Sequence, residues 1–121
     1  MAKHLHTGKI GEAYAKNFLQ QKGWTILETN WRIGKAEVDI IGLDGAFLVF
    51  VEVKTRSSER FGHPAAFVGA SKEELLVAAA QGYMDQSHHT GEFRFDIVSV
   101  LLLPGVPPLL EHFPDAFFPG F

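Results

Sequence analysis

The run from Ala36 to Arg56, AEVDIIGLDGAFLVFVEVKTR, constrains the fold of this chain more than any other stretch. Two segments rich in β-branched and aromatic residues flank Asp44-Gly45, a dipeptide that tolerates the positive φ a tight hairpin needs. Val38, Ile40 and Ile41 mark the first strand, and Phe47 to Val53 the second. Side chains alternate faces along a strand, so Leu48, Phe50, Glu52 and Lys54 share one face and Val49, Val51 and Val53 the other. Both faces begin apolar, which predicts a strand covered on both sides. Glu52 and Lys54 at the end of such a strand, with Asp39 on its neighbour, are costly unless paired or bound to an ion.

The rest of the chain arranges itself around this hairpin. From Gly8 to Lys22, Ile10, Tyr14 and Phe18 with Ala13, Ala15 and Leu19 fit one broad helical face, with Thr7 as a possible cap and Gly23 in the left-handed position beyond its end. Glu12 falls in the first turn of that expected helix, in line with Ala15 and Leu19, where it either complements the helix dipole or serves a site. A first strand is expected over Trp24–Trp31, followed by a turn at Gly34-Lys35. After Arg56 a glycine- and proline-punctuated loop, SSERFGHPAAFVGA, belongs at the surface near the strand ends. Ser71 and Glu74 read as a capping box for a second helix from about Lys72 to Asp85. A last strand runs over Phe93–Leu103, ended by Pro104-Gly105, and a short Leu109–His112 piece precedes an aromatic tail. The order α-β-β-β-α-β predicts an α/β sandwich around one mixed sheet, in a single domain over residues 1–121.

Composition excludes several classes. The chain has no cysteine, so disulfides, thiolate chemistry and cysteine-held zinc are out. No apolar run is long enough to span a bilayer and the opening MAKHLHTGKIGEA lacks a signal-peptide core, so a cytoplasmic protein without membrane contact is expected. The net charge of −3 is not that of a typical nucleic-acid-binding domain, although carboxylates that hold a metal add negative charge of their own.

The acidic residues of the hairpin form a plausible site. Adjacent strands lie about 5 Å apart, so Asp39, expected near the end of its strand, and Glu52 can share one divalent cation. Mg²⁺ prefers a few carboxylate oxygens and keeps several waters; the Val53 carbonyl is a further candidate ligand and Glu12 a further carboxylate. Lys54, on the side of Glu52, can then hold or deprotonate an attacking water or neutralise charge at phosphorus, the set for metal-assisted phosphodiester hydrolysis. An ordinary ion pair between Glu52 and Lys54 would leave Asp39 unexplained. Glu37 reads as structural or auxiliary, Asp96 beside Arg94 as a satisfied polar pair, Asp44 as a turn residue, and His63 as an exposed loop histidine. Lys72, at the start of the second helix, is either a phosphate contact or a solvated lysine. His4 and His6, in an expected loose lead-in, are weak metal candidates.

These motifs, G-x-x-x-G-E at Gly8–Glu12, N-W-R at Asn30–Arg32, A-E-V-D-I-I at Ala36–Ile41 and F-V-E-V-K-T-R at Phe50–Arg56, resemble the UPF0102 (YraN-like) family. F-G-x-P at Phe61–Pro64, Lys72, R-F-D at Arg94–Asp96 and H-F-x-D-A-F at His112–Phe117 extend the resemblance nearly end to end. Ala36 departs from the glycine usual before the Glu-hydrophobic-Asp triplet, and Phe118–Phe121 run past the usual end. Members of this family resemble Holliday-junction resolvases and the wider restriction-endonuclease-like, PD-(D/E)xK, superfamily. The resemblance implies a restriction-endonuclease-like core in which Asp39 and Glu52 bind Mg²⁺ (with Mn²⁺ as a substitute), Lys54 assists the water and Glu12 matches a helix-one glutamate of archaeal junction resolvases. It also implies branched or structured DNA as substrate and a possible homodimer. Basic contacts to DNA are then expected from Arg32, Lys35, Arg56 and Lys72, with Lys9, Lys16 and Arg60 nearby. The competing reading is a non-catalytic nucleic-acid-binding or protein-interaction module on the same fold.

Overall fold

A computed structural model describes residues 2–57 and 70–116, with side chains from Gly8 in the first helix and from Ser71 in the second. Helix α1 spans Ala2–Gln21, strands β1, β2 and β3 span Thr25–Ile33, Ala36–Asp44 and Phe47–Arg56, helix α2 spans Ala70–Ser87, and β4 and β5 span Phe93–Leu101 and Leu109–Phe113. The sheet is five-stranded in the order β1-β2-β3-β4-β5. Only β3 and β4 run parallel; the other neighbours are antiparallel. A parallel pair needs a long crossover, and the segment that contains α2 supplies it. The expected α/β sandwich around a mixed sheet is therefore observed.

β3 carries the two-sided burial predicted from its sequence. Leu48 and Phe50 pack with Val38, Ile41, Phe95 and the Leu76, Ala79 and Ala80 stripe of α2. Val49 and Val51 pack on the opposite face with Ala15 and Leu19 of α1 and with Trp24, Ile40, Val98 and Val100. Burial of these side chains is the main source of stability, each contributing about 1.5–3 kcal/mol.

Several boundaries differ from the sequence reading. Helix α1 begins at Ala2 rather than near Gly8, so Thr7 is not its cap, and residues 2–7 are not a loose lead-in. Its C-terminal end follows expectation: Gly23 takes φ of 96°, and bonds from Gly23 N to the Gln20 carbonyl (3.0 Å) and from Trp24 N to the Leu19 carbonyl (3.1 Å) satisfy carbonyls that the helix leaves open. Helix α2 starts at Ala70, which puts Ser71 inside it and removes the expected capping box. β1 runs two residues beyond Trp31, and β4 stops two residues short of Leu103. Asp44 pairs with Phe47, so the hairpin loop is Gly45-Ala46, not Asp44-Gly45, and Gly45 alone takes positive φ, 61°. The Leu109–His112 piece is a strand, β5, which covers the β4 edge. Arg60, Phe61–Pro64 including His63, and the aromatic tail from Phe117 lie outside the described residues, as do the side chains of His4, His6 and Thr7.

Candidate active site

The site lies where β2 and β3 part. Their ladder pairs Asp44 with Phe47 and continues to Ile40 with Val51, where it stops. Beyond that point β2 pairs only with β1, from Val38 opposite Trp31 to Ala36 opposite Ile33, while β3 continues alone alongside β4 as far as Arg56 opposite Leu101. One residue past this last pair on each strand stand Asp39 and Glu52, at the mouth of the fork. Asp39 is thus in the middle of β2, not near its end as expected. Leaving the ladder frees the Val53 N–H, and a buried backbone donor needs an acceptor. The Asp39 carboxylate supplies it, with Val53 N donating to Oδ2 at 2.8 Å.

Glu52 is 4% exposed, one of two buried charged residues among those described. Its Oε1 accepts an ion pair from Lys72 Nζ at 3.1 Å and a longer one from Lys54 Nζ at 3.5 Å. Lys54 is mostly buried, with 17% of its side chain exposed, against 47% for Lys72. Burial, reinforced by the neighbouring Glu52 and Glu12 carboxylates and opposed by the Val53 N–H and Lys72, pushes the Asp39 pKa up to about 7. Burial works against the Lys72 ammonium, but the Glu52, Asp39 and Glu37 carboxylates outweigh it and raise its pKa.

Glu12 stands at the margin of the same acidic group. Burial raises its pKa, Asn30 opposes this through a side-chain hydrogen bond, and Glu37 and Glu52 add to it. With α1 starting at Ala2, Glu12 is in mid-helix, so complementing the helix dipole does not explain it. Two residues that the sequence reading left without a role place it there. Gly11 is buried, and a Cβ at that position would overlap the Thr55 side chain, so only glycine lets α1 approach β3 this closely. Asn30 sits within β1 at φ of 51°, a left-handed conformation rare for a non-glycine residue, at the step between the Trp31–Val38 and Thr29–Ile40 pairs and hence across from Asp39. The G-E and N-W-R motifs were the visible signals for both.

The remaining predicted residues sort by position. Arg32 is an exposed partner of Glu37 at 2.8 Å, and Lys35 is exposed in the β1–β2 turn. Arg56 donates to the Thr55 carbonyl at 3.3 Å. All three belong to the end of the sheet where the fork opens. Lys9 and Lys16 are exposed on α1. Asp96 is fully buried and satisfied as expected: Arg94 donates to both of its oxygens (2.9 and 3.1 Å), His112 Nε2 lies 2.6 Å from Oδ2, and Asp115 N donates at 2.9 Å. Asp44, read as a turn residue, also accepts from Arg94 at 2.8 Å.

The donor set suits a hard cation. Asp39 and Glu52 stand at the mouth of the fork, and burial first, then the Glu52 carboxylate, raises the Asp39 pKa, a cost to its charged form that a divalent cation would relieve. Among the described residues no three His, Asp or Glu side chains gather closely enough to cage a metal by themselves. Mg²⁺ held through one or two carboxylates and waters does not require such a cage. Val53 enters the site through its N–H. No helix among the described residues is long and apolar enough to cross a membrane.

Comparison with known proteins agrees with the motifs. Residues 11–100 match the model of the uncharacterised protein family UPF0102. The chain is 48% identical over 118 residues to a UPF0102 protein of Flavobacterium psychrophilum, with 98% of each chain covered. It is 42% identical to one of Christiangramia forsetii, again over 98% of each chain, and 40% identical to one of Rhodococcus opacus over 97% of this chain and 100% of the relative. With matches that run nearly end to end and include every residue of the fork, the chain belongs to the UPF0102 family.

Proposed function

We propose that this protein is a Mg²⁺-dependent endonuclease that hydrolyses phosphodiester bonds in branched or structured DNA. The observation that carries the reading is the fork itself: Asp39 and Glu52 at its mouth, with Lys54 reaching a Glu52 oxygen. Asp39 and Glu52 would hold Mg²⁺, or Mn²⁺ in its place, with the Val53 carbonyl as a further ligand and Glu12 behind them. Such a cation polarises a phosphoryl oxygen and lowers the pKa of a bound water. Lys54, mostly buried and held by Glu52, would orient the attacking water and offset negative charge that builds at phosphorus. The Val53 N–H fixes the Asp39 carboxylate before any ligand arrives, so the geometry is set in advance.

Arg32, Lys35, Arg56 and Lys72 surround the open end of the fork and would contact the DNA backbone. Such contacts carry no sequence information, which fits a substrate recognised by shape. A four-way junction presents two equivalent strands, and a homodimer would set one site on each. The function places the protein in the cytoplasm with DNA as partner. The alternative, a binding module on the same fold, draws support from the Glu52 charge being already matched by two lysines.

The test is cleavage of a four-way junction, a flap and plain duplex with Mg²⁺ or Mn²⁺, comparing wild type with Asp39→Asn and Lys54→Ala. Paired nicking of the junction, lost in both variants that still fold, is the expected result. Flap cleavage instead would keep the chemistry and change the substrate. No metal-dependent cleavage of any substrate, together with no metal binding by calorimetry, would leave the binding module.

A further inference from the structure

The shorter of the two ion pairs on Glu52 belongs to Lys72, which comes from α2 rather than from the strand pair, and the proposed chemistry does not use it beyond a DNA contact. Its Nζ lies 3.1 Å from Glu52 Oε1, closer than Lys54 at 3.5 Å and on the same oxygen. A divalent cation held by Glu52 and Asp39 would have to share the Glu52 carboxylate with these two ammonium groups. The charges also decide the matter. A doubly charged ion on Glu52 would stand beside two ammonium groups that share its carboxylate, and like charges that close repel. One lysine must give way.

Lys54 is poorly placed to do so. It lies on β3, with 17% of its side chain exposed. Lys72 is near the start of α2, its side chain 47% exposed on a flexible four-carbon stem, and it can swing into solvent at little cost. The open side of the fork is also where DNA phosphates would lie.

Resting on the metal-dependent reading above, we infer that Lys72 is a displaceable internal cation: it neutralises Glu52 until a divalent ion takes its place, and once released it binds a phosphate of the DNA. Metal and DNA binding are thereby coupled through one side chain. Metal binding becomes easier when a phosphate is there to receive the ammonium, and phosphate binding easier when metal has freed it. Because the reciprocal effect acts on a single residue, removing Lys72 separates the two.

The experiment titrates Mn²⁺ calorimetrically into chelator-treated wild type, Lys72→Gln and Asp39→Asn, with and without a non-cleavable phosphorothioate junction. Lys72→Gln is expected to bind Mn²⁺ roughly twofold to fivefold more tightly than wild type without DNA, the range for release of a partly exposed ion pair. Wild type should gain affinity when DNA is added, and Lys72→Gln should gain less. Selective acylation of lysine amines, read by mass spectrometry without DNA, supplies a second measure: Mn²⁺ should speed labelling of Lys72 in wild type and leave it unchanged in Asp39→Asn. Equal Mn²⁺ affinities for wild type and Lys72→Gln, or Lys72 labelling that ignores bound Mn²⁺, would overturn the displacement while leaving the nuclease reading intact. Failure of both wild type and Lys72→Gln to bind Mn²⁺ would instead remove the metal site on which the inference rests.

Discussion

Replacing Asp39 with asparagine should stabilise the protein while destroying its proposed activity. The pKa of Asp39 is pushed up from 3.8 to about 7, with burial as the main cause and the Glu52 carboxylate next. A carboxyl with a raised folded-state pKa binds its proton more tightly in the folded than in the unfolded chain. Stability therefore falls as pH rises from the unfolded value toward the folded one, here between about 4 and 7, and stays reduced above that. At about 1.4 kcal/mol per pH unit, the full shift sets a ceiling of about 4 kcal/mol on the cost at pH 8. Asp39 is only half-buried and shares its field with Glu52, and water relaxes such sites, so about 2 kcal/mol is the expected gain on substitution. Asparagine keeps an oxygen for the Val53 N–H, so the fork retains its hydrogen bond. For a chain of this size the gain corresponds to a Tm increase of roughly 8 °C at pH 8. At pH 5, roughly one unit above the ordinary carboxylate value, less than half of the gain should remain. The assay is thermal unfolding of both proteins across pH 5–8 in chelator, then with Mg²⁺, which should raise the Tm of wild type only. A difference between the two proteins that does not grow with pH would refute the electrostatic argument, and a variant less stable at every pH would show that the carboxylate supports the fold.

Gly11→Ala should destabilise by about 1–3 kcal/mol, since its methyl group overlaps Thr55, and should lower cleavage by displacing Glu12; denaturant unfolding and junction cleavage check both parts. Asp96→Asn leaves Arg94 with Asp44 as its remaining countercharge and weakens the buried network around position 96, so it should cost about 1–3 kcal/mol by chemical unfolding, with the per-molecule cleavage rate of the folded fraction unchanged.

The core of the fold was legible because β3 is a short apolar run with both faces hydrophobic, and because Gly34 and Gly45 mark the hairpin turns. The helix start at Ala2 was hidden because residues 2–7 show no apolar period. β5 was hidden because LLEHF is short, polar at its centre and alternates only weakly. Asp39, Glu52 and Lys54 could be chosen from residue type and parity, but their relation to one another could not. It depends on where the β2–β3 ladder stops, near the left-handed turn of Asn30 in β1, while β3 continues along a parallel neighbour more than forty residues further on. Nor could Lys72 be placed against Glu52, because a crossover helix has no register readable from its own sequence. The approach of α1 followed the same logic: a buried glycine looks like any other until its neighbour, Thr55, is known.

The fork gives a reason to assign the charge at position 39 to the proposed function rather than to folding. Where β3 leaves β2, the Val53 N–H loses its ladder partner and some acceptor must meet it. A neutral amide oxygen would meet that need without the cost of desolvating a carboxylate beside Glu52. Lys72 and Lys54 pair directly with Glu52, and the pull of Lys72 on Asp39 is outweighed by burial and by the Glu52 carboxylate. The fold thus asks for an oxygen at this point and the sequence supplies an oxygen with a destabilising charge attached. A local choice that works against stability, in a site assembled from three separate strands and two helices, is the mark of a ligand-binding demand. On the proposed reading, a divalent cation is the ligand that would turn this cost into binding energy.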